Sequence, residues 1–203
     1  MQGISWTELT IVGQSAHAGT TPMRLRHDPG YVAAAINAGV RAMALDFGGT
    51  QVATVGRCEF VPNLVNVVPS KAIITVDLRN TDEALLQAAE ARLRAMCAEL
   101  AASEGVEISS RSLARFEPVE FDAAQVDLVE TAATRLGHST LRMPSGAGHD
   151  AQMLARVCPA AMVFVPSVNG LSHNIAEHTR PADITAGADV LLQVVLACAD
   201  VVD

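Results

Sequence analysis

Six residues in four polar islands have the types and the spacing for chemistry: His17; Asn66 with Arg79; Gly148 with His149; and His173. Neutral imidazole is a good ligand for Zn²⁺ or Mn²⁺, so three loop histidines raise the question of a metal. There is no H-E-x-x-H pattern, however, and the spacing alone closes no metal site. Serine-based catalysis is the weaker option: Ser145 or Ser172 would pair with His149 or His173, but neither serine lies in a G-x-S-x-G elbow. The glycine-rich turn Ser145-Gly146-Ala147-Gly148-His149-Asp150 opens a helix, where backbone N–H groups can hold an anion. Each residue alone also has a dull role: Asn66 as a turn residue, Arg79 as a solvated strand end, His17 and His173 as loop histidines, His149 as a helix start.

The elements that must position these residues follow from periodicity. Trp6, Glu8 and Thr10 alternate with Thr7, Leu9 and Ile11, a half-buried strand that Val12-Gly13 closes. The His17 loop follows, with Gly19 to permit positive φ and Pro22 to fix the exit. Asp28-Pro29 opens a helix carrying Val32, Ile36, Val40 and Met43 on one face, and Gly48-Gly49 ends it. Strands are expected at Gln51 to Val61 and Lys71 to Arg79, separated by the proline-bracketed segment Pro62 to Pro69. Thr81 or Asp82 caps a second helix, and Val106 to Ser112 is the last strand. The order β-α-β-β-α-β predicts a ferredoxin-like domain over residues 1–115.

From about residue 118 the pattern becomes α-β-α-β-α. Helices are expected at Val126 to Leu136, after Asp150, and at Ala182 to Val201; strands at Thr140 to Met143 and Ala160 to Val165. Two short strands under three helices read as part of an α/β sheet, so 116–203 is expected to be an incomplete domain whose helices expose apolar surface. Loops after parallel strands are where such proteins place ligands, so the His149 and His173 loops point to one shared site.

Composition narrows the partners. The 203 residues carry a formal charge of -8 with 3% aromatic residues, which argues against a nucleic-acid binder. Cys58, Cys97, Cys158 and Cys198 are widely spaced, mostly with apolar neighbours, and read as reduced core thiols. No uninterrupted apolar run approaches the roughly 20 residues of a membrane span, and the N-terminus lacks a basic-then-apolar signal pattern. The expectation is a cytoplasmic protein with no membrane partner.

The motifs Gly13 to Met23, Asn66-Val67-Val68-Pro69, Asp77-Leu78-Arg79, Ser145 to Ala151 and Gly170-Leu171-Ser172-His173-Asn174, in this order, resemble those of the M20 metallopeptidase-related amidohydrolases. The branch they resemble holds the N-carbamoyl-L-amino-acid hydrolases, β-ureidopropionases and allantoate amidohydrolases. The resemblance implies an α/β fold: a ferredoxin-like lid and dimerisation domain over 1–115, then the C-terminal part of a metallohydrolase catalytic domain over 116–203. It implies a homodimer and two divalent metal ions, Zn or Mn. By the same resemblance His17 polarises the scissile carbonyl, Asn66, Arg79, Gly148 and His149 bind substrate, and His173 is a metal ligand. Arg79 would grip the substrate carboxylate, because a planar guanidinium matches a carboxylate as a bidentate pair.

The implied reaction is hydrolysis of the ureido C–N bond of a small carboxylate substrate, an N-carbamoyl-L-amino acid or allantoate. The remaining metal ligands and a general-base glutamate belong, in that family, to a segment before the lid. This chain alone is therefore expected to be catalytically inactive, and a non-catalytic dimerisation or ligand-binding module is the competing reading.

Overall fold

Strand β1 (Gly3–Val12) alternates from Trp6 onward, and its two faces there have different fates. Leu9 and Ile11 are buried, whereas Trp6 and Val12, on the opposite face, remain substantially exposed. The computed structural model describes residues 1–199, which divide into two units: Met1–Val119 with Ser145–Gly148, and Glu120–Pro144 with the residues from His149 onward.

In the first unit β1 pairs antiparallel with β5 (Lys71–Asn80) and with β6 (Glu107–Phe116), and β5 pairs antiparallel with β3 (Val52–Val61). The sheet order β3-β5-β1-β6 is the ferredoxin-like order that the element sequence predicts. A second, two-stranded ribbon joins β2 (Ala16–His17) to β4 (Val67–Val68).

Two helices cover one face of the sheet. Helix α1 (Pro29–Phe47) starts at Asp28, whose carboxylate accepts from the N–H of Gly30 (2.8 Å) and Tyr31 (3.3 Å), with Pro29 in the first turn. Helix α2 (Glu83–Glu104) is capped by Asp82, which accepts from the Leu85 N–H, and it ends at Gly105 in the left-handed region. Val32, Ile36, Val40 and Met43 of α1 and Leu86, Ala89 and Leu93 of α2 pack against Leu9, Ile11, Ile74, Val76 and Leu78 of the sheet.

This is the apolar burial that holds the unit together, since each fully buried aliphatic side chain contributes about 1.5–3 kcal/mol. At the sheet edge Arg115 reaches α2 through Glu83 (2.6 Å) and Glu90 (2.7 Å). Burial pushes the Glu83 carboxyl up, but hydrogen bonds from Arg115 and Gln87 outweigh it and hold it below the ordinary value.

The second unit is built on helices α3 (Ala123–Arg135) and α5 (Pro181–Cys198), with a short α4 (Ala151–Leu154). Ala132, Ala133 and Val190 are its buried cluster, with Val129, Val163 and Val194 against it. The strands expected at 140–143 and 160–165 are absent among the described residues. A strand needs a ladder partner, and neither run has one.

Instead, Thr140 and Arg142 turn their side chains to α3. Arg142 binds Asp127 (2.6 Å) and Glu130, and Thr140 donates to Glu130 (3.3 Å). Ala160 contributes its carbonyl to the Asp122 N–H (3.1 Å), which starts α3. The last helix, expected to reach Val201, is described to Cys198, and Val201 lies outside the described residues.

As expected for the later part of the chain, α5 exposes Ile184, Leu191, Leu192, Val195 and Leu196. By length and composition alone α5 would be long and apolar enough to cross a membrane, although Asp183 and Asp189 interrupt it and Val190 packs into the α3 cluster.

The cysteines give a direct test of this packing. Of the four cysteines expected in the core only Cys97 is there, and burial pushes its thiol up to about 11; Cys58, Cys158 and Cys198 are exposed, because apolar neighbours in sequence do not fix which face of an element a residue occupies. Only the thiolate attacks a thiol reagent, so at pH near 8 Cys97 is expected to react last and to accelerate on unfolding. Site-resolved labelling by mass spectrometry checks this, and equal rates at all four sites would contradict the buried position.

Candidate functional site

The β2–β4 ribbon holds His17 opposite Val67 and Ala16 opposite Val68, continuing beyond the last β1–β5 pair, Val12↔Lys71. Gly13 N–H donates to the Ser70 carbonyl (2.9 Å) and Ala18 N–H to the Asn66 carbonyl (3.0 Å). Asn66 therefore sits beside the histidine loop, which joins two of the residues singled out from the sequence.

Arg26 closes the loop from below, donating to the carbonyls of Ala18 (2.6 Å) and Thr21 (3.0 Å). Nothing in the sequence alone marks this arginine. The role expected for Gly19 changes: it does not adopt positive φ. A side chain there would meet the imidazole, since a Cβ would lie 3.4 Å from His17 Cε1.

The loop also selects a tautomer. His17 Nδ1 accepts from the N–H of Gly19 (3.0 Å) and of Thr20 (3.3 Å). An accepting Nδ1 leaves the proton on Nε2. His17 thus presents an exposed N–H donor suited to a carbonyl oxygen that gains negative charge.

Arg79 occupies the other end of the sheet. It pairs with Ile4 on β1 and Val52 on β3, near the first ladder positions of β1. Its guanidinium donates to both oxygens of Asp77 and, at 2.6 Å, to the Gly146 carbonyl. The Trp6 ring lies 5.8 Å away, at cation–π distance.

The Gly146 contact arises because the segment Ser145–Gly148 packs on the first unit: Gln2 N–H donates to the Ser145 carbonyl (2.9 Å). A Cβ on Gly148 would lie 3.4 Å from Ile4 Cδ1. Arg79 and Gly148, far apart in sequence, are thereby brought to one end of the sheet. Asp77 was readable in advance, because residues two apart on a strand share a face.

The remaining candidates belong to the second unit. His149 Nδ1 accepts from the Ala151 N–H (3.0 Å), so its Nε2 carries the proton. This corrects the expectation of an anion site at that helix start, because the imidazole itself occupies the N–H. The Ser145 hydroxyl donates to the Ala147 carbonyl (2.9 Å), not to His149, so no serine–histidine pair forms there.

His173 has φ 55°, and its N–H donates to the Glu177 carboxylate (2.7 Å). Among the described residues no three His, Cys, Asp or Glu side chains gather as a metal-binding group. His173 with its neighbours does not fit a dinuclear centre, and the shared His149–His173 site expected from the sequence has no bond joining the two rings.

The profile of peptidase family M20/M25/M40 matches residues 10–197. The chain is 41% identical over 202 residues to an N-carbamoyl-L-amino-acid amidohydrolase of Rhizobium meliloti, covering 100% of the chain and 49% of that protein. It is 38% identical over 187 residues to the allantoate amidohydrolase of Escherichia coli K12, covering 90% and 44%. Among solved structures, an amidase of the hydantoinase/carbamoylase family from Burkholderia vietnamiensis superposes with a TM-score of 0.93 at 43% identity, over 97% of this chain and 48% of that one. The chain thus spans about half the length of the curated relatives it matches.

The tautomer of His17 is open to measurement. Long-range proton–nitrogen correlation spectra of the neutral ring should show the proton on Nε2. Gly19→Ala, which places a methyl in contact with the ring, should shift those signals without moving the proton from Nε2. A neutral ring protonated on Nδ1 would exclude the donor geometry described above.

Proposed function

The chain belongs to peptidase family M20/M25/M40, and from that premise we propose that it forms the substrate-binding and covering part of an amidohydrolase cleaving the ureido C–N bond of N-carbamoyl-L-amino acids. Residues 1–115 are the lid and dimerisation domain on this reading, and 116–203 return into the catalytic domain. The observation that carries it is the coexistence of two aimed donors on one scaffold: the His17 Nε2–H and the Arg79 guanidinium.

Arg79 takes the substrate carboxylate, with Gly148 and His149 as further contacts. His17, helped by the Asn66 amide, donates to the ureido carbonyl oxygen as it becomes an oxyanion. A donor of that kind typically contributes about 2.7–4 kcal/mol to the barrier reduction. Allantoate, also a carboxylate with a ureido group, is the second substrate this arrangement accommodates, and an allantoate amidohydrolase is among the relatives.

The length of the sheet supports a meeting of the two donors across a dimer. Lys71 and Arg79 are eight steps apart along the strand, roughly 26 Å at about 3.3 Å per residue, and His17 lies beyond the Lys71 end. A carbamoyl amino acid is far shorter than that. If both groups touch one substrate, they come from two copies of the chain, so the homodimer is a requirement of the chemistry on this reading. A twofold dimer then carries two composite sites.

Family M20 generally binds divalent metals, and His173 is our proposed ligand among these residues. Its donor set is too small to hold two ions, so the reading requires donors from outside the described residues. It also requires that something cover the apolar face of α5. The four free thiols agree with a cytoplasmic setting, and nothing points to nucleic acid or membrane partners.

Two outcomes are expected. The purified 203-residue chain supplied with Zn²⁺ or Mn²⁺ and an N-carbamoyl-L-amino acid should show no turnover above buffer, and His173-dependent release of ammonia would refute this. Calorimetry with the same substrate should give no binding for His17→Ala or Arg79→Ala alone. An equal mixture of the two, unfolded and refolded together, should regain about a quarter of the wild-type sites, because half the dimers are mixed and each has one intact site. A mixture as silent as its components would rule out sharing between copies.

A further inference from the structure

Arg79 is held unusually well for a side chain on the open face of a sheet. Its Nε donates to Asp77 Oδ1 (3.0 Å) and Oδ2 (3.1 Å), and its Nη2 to Asp77 Oδ2 (2.7 Å). Its Nη1 donates to the Gly146 carbonyl (2.6 Å), and the Trp6 ring lies 5.8 Å from the guanidinium carbon. A surface ion pair with a single partner would leave the plane free to rotate. Here a carboxylate, a backbone carbonyl from a distant segment and an indole fix the guanidinium from three directions.

A guanidinium has five N–H groups. Asp77 takes the one on Nε and one of the two on Nη2, and Gly146 takes one of the two on Nη1. One N–H remains on each terminal nitrogen, and these are the two donors left for a ligand. We propose that Asp77 is the positioning residue that aims Arg79, with the Gly146 carbonyl as its second locating point, so that the two remaining N–H groups are preset for a substrate carboxylate.

This inference rests on the reading of Arg79 as the carboxylate binder. It adds that the specificity is set by the residue two positions earlier on the same strand. Asp77 faces Trp6 directly across the β1–β5 ladder and Thr54 across the β5–β3 ladder, so its carboxylate is seated in the sheet and does not depend on a loop. Preorganisation of this kind lowers the ordering cost on binding, because the fork need not be frozen by the ligand. A lysine at position 79 could not reproduce it, since an ammonium is a point charge without a planar fork.

The test uses the full chain and two readouts. The first is the Arg79 Nε–H signal in proton–nitrogen spectra without ligand, which Arg79→Ala identifies by its loss. In the wild type it should exchange slowly with water and show restricted motion. Asp77→Ala should make it fast-exchanging and mobile, while Asp77→Asn, which keeps one acceptor oxygen, should fall between.

The second readout is binding of an N-carbamoyl-L-amino acid compared with the corresponding carboxamide. Wild type should prefer the acid, and Asp77→Ala should weaken acid binding about tenfold with little change for the carboxamide. An Nε–H signal unchanged in Asp77→Ala overturns the positioning role whether or not the ligand binds. Acid binding unchanged in Arg79→Ala instead overturns the reading of Arg79 itself. Loss in Arg79→Ala with wild-type affinity in both Asp77 variants overturns only the role of Asp77.

Discussion

The antiparallel pairing of β1 with β5, from Gly3↔Asn80 to Val12↔Lys71, is the constraint on which the rest of the first unit depends. A strand exposes successive residues to opposite faces, so this register commits Leu9, Ile11, Ile74, Val76 and Leu78 to the helices. It commits Trp6, Asp77 and Arg79 to the open side in the same step. A slip of one residue would bury the charged set and expose the apolar one, which the core could not tolerate. Trp6, Asp77 and Arg79 are therefore held in register by hydrophobic burial on the far side of the strands that carry them.

The ladder also has a direction, and direction separates functions. Its Lys71 end continues into the ribbon that carries His17, with Asn66 beside it, while its Asn80 end meets Gly146 through Arg79 and Gly148 through Ile4. The sheet is a spacer between these two ends. Each end is completed by a chain segment remote in sequence: residues 66–68 at one end and 145–148 at the other. The outer face between them is occupied by an exposed charge cluster, Glu8 between Arg57 and Arg111, of the kind that contributes at most about 1 kcal/mol per pair.

What the sequence made legible is what local periodicity encodes. The alternation in β1 and β5, the four-residue spacing in α1, and the aspartates that begin α1 and α2 all depend on neighbours within a few residues. The order of these elements then restricts the sheet to one arrangement. The runs at 140–143 and 160–165 failed as strands for the opposite reason: β-forming composition is local, but a ladder is shared with a partner, and none pairs with them among the described residues. The opposite placement of His17 and Arg79 was likewise hidden, because it depends on the register of β1 on β5 and not on either motif. Asp77 was visible in the motif Asp77-Leu78-Arg79, but only the hydrogen bonds show that it is paired with Arg79.

Loop geometry and tautomer are also one problem in the His17 loop. In the neutral ring Nδ1 accepts the Gly19 and Thr20 N–H groups, so the bonds that shape the loop leave the ring proton on Nε2. The two donors are backbone groups of the residues that follow in the same turn, so the choice of nitrogen is made by local chain geometry and not by a distant partner. The loop thereby fixes both where the imidazole lies and which of its nitrogens carries the N–H.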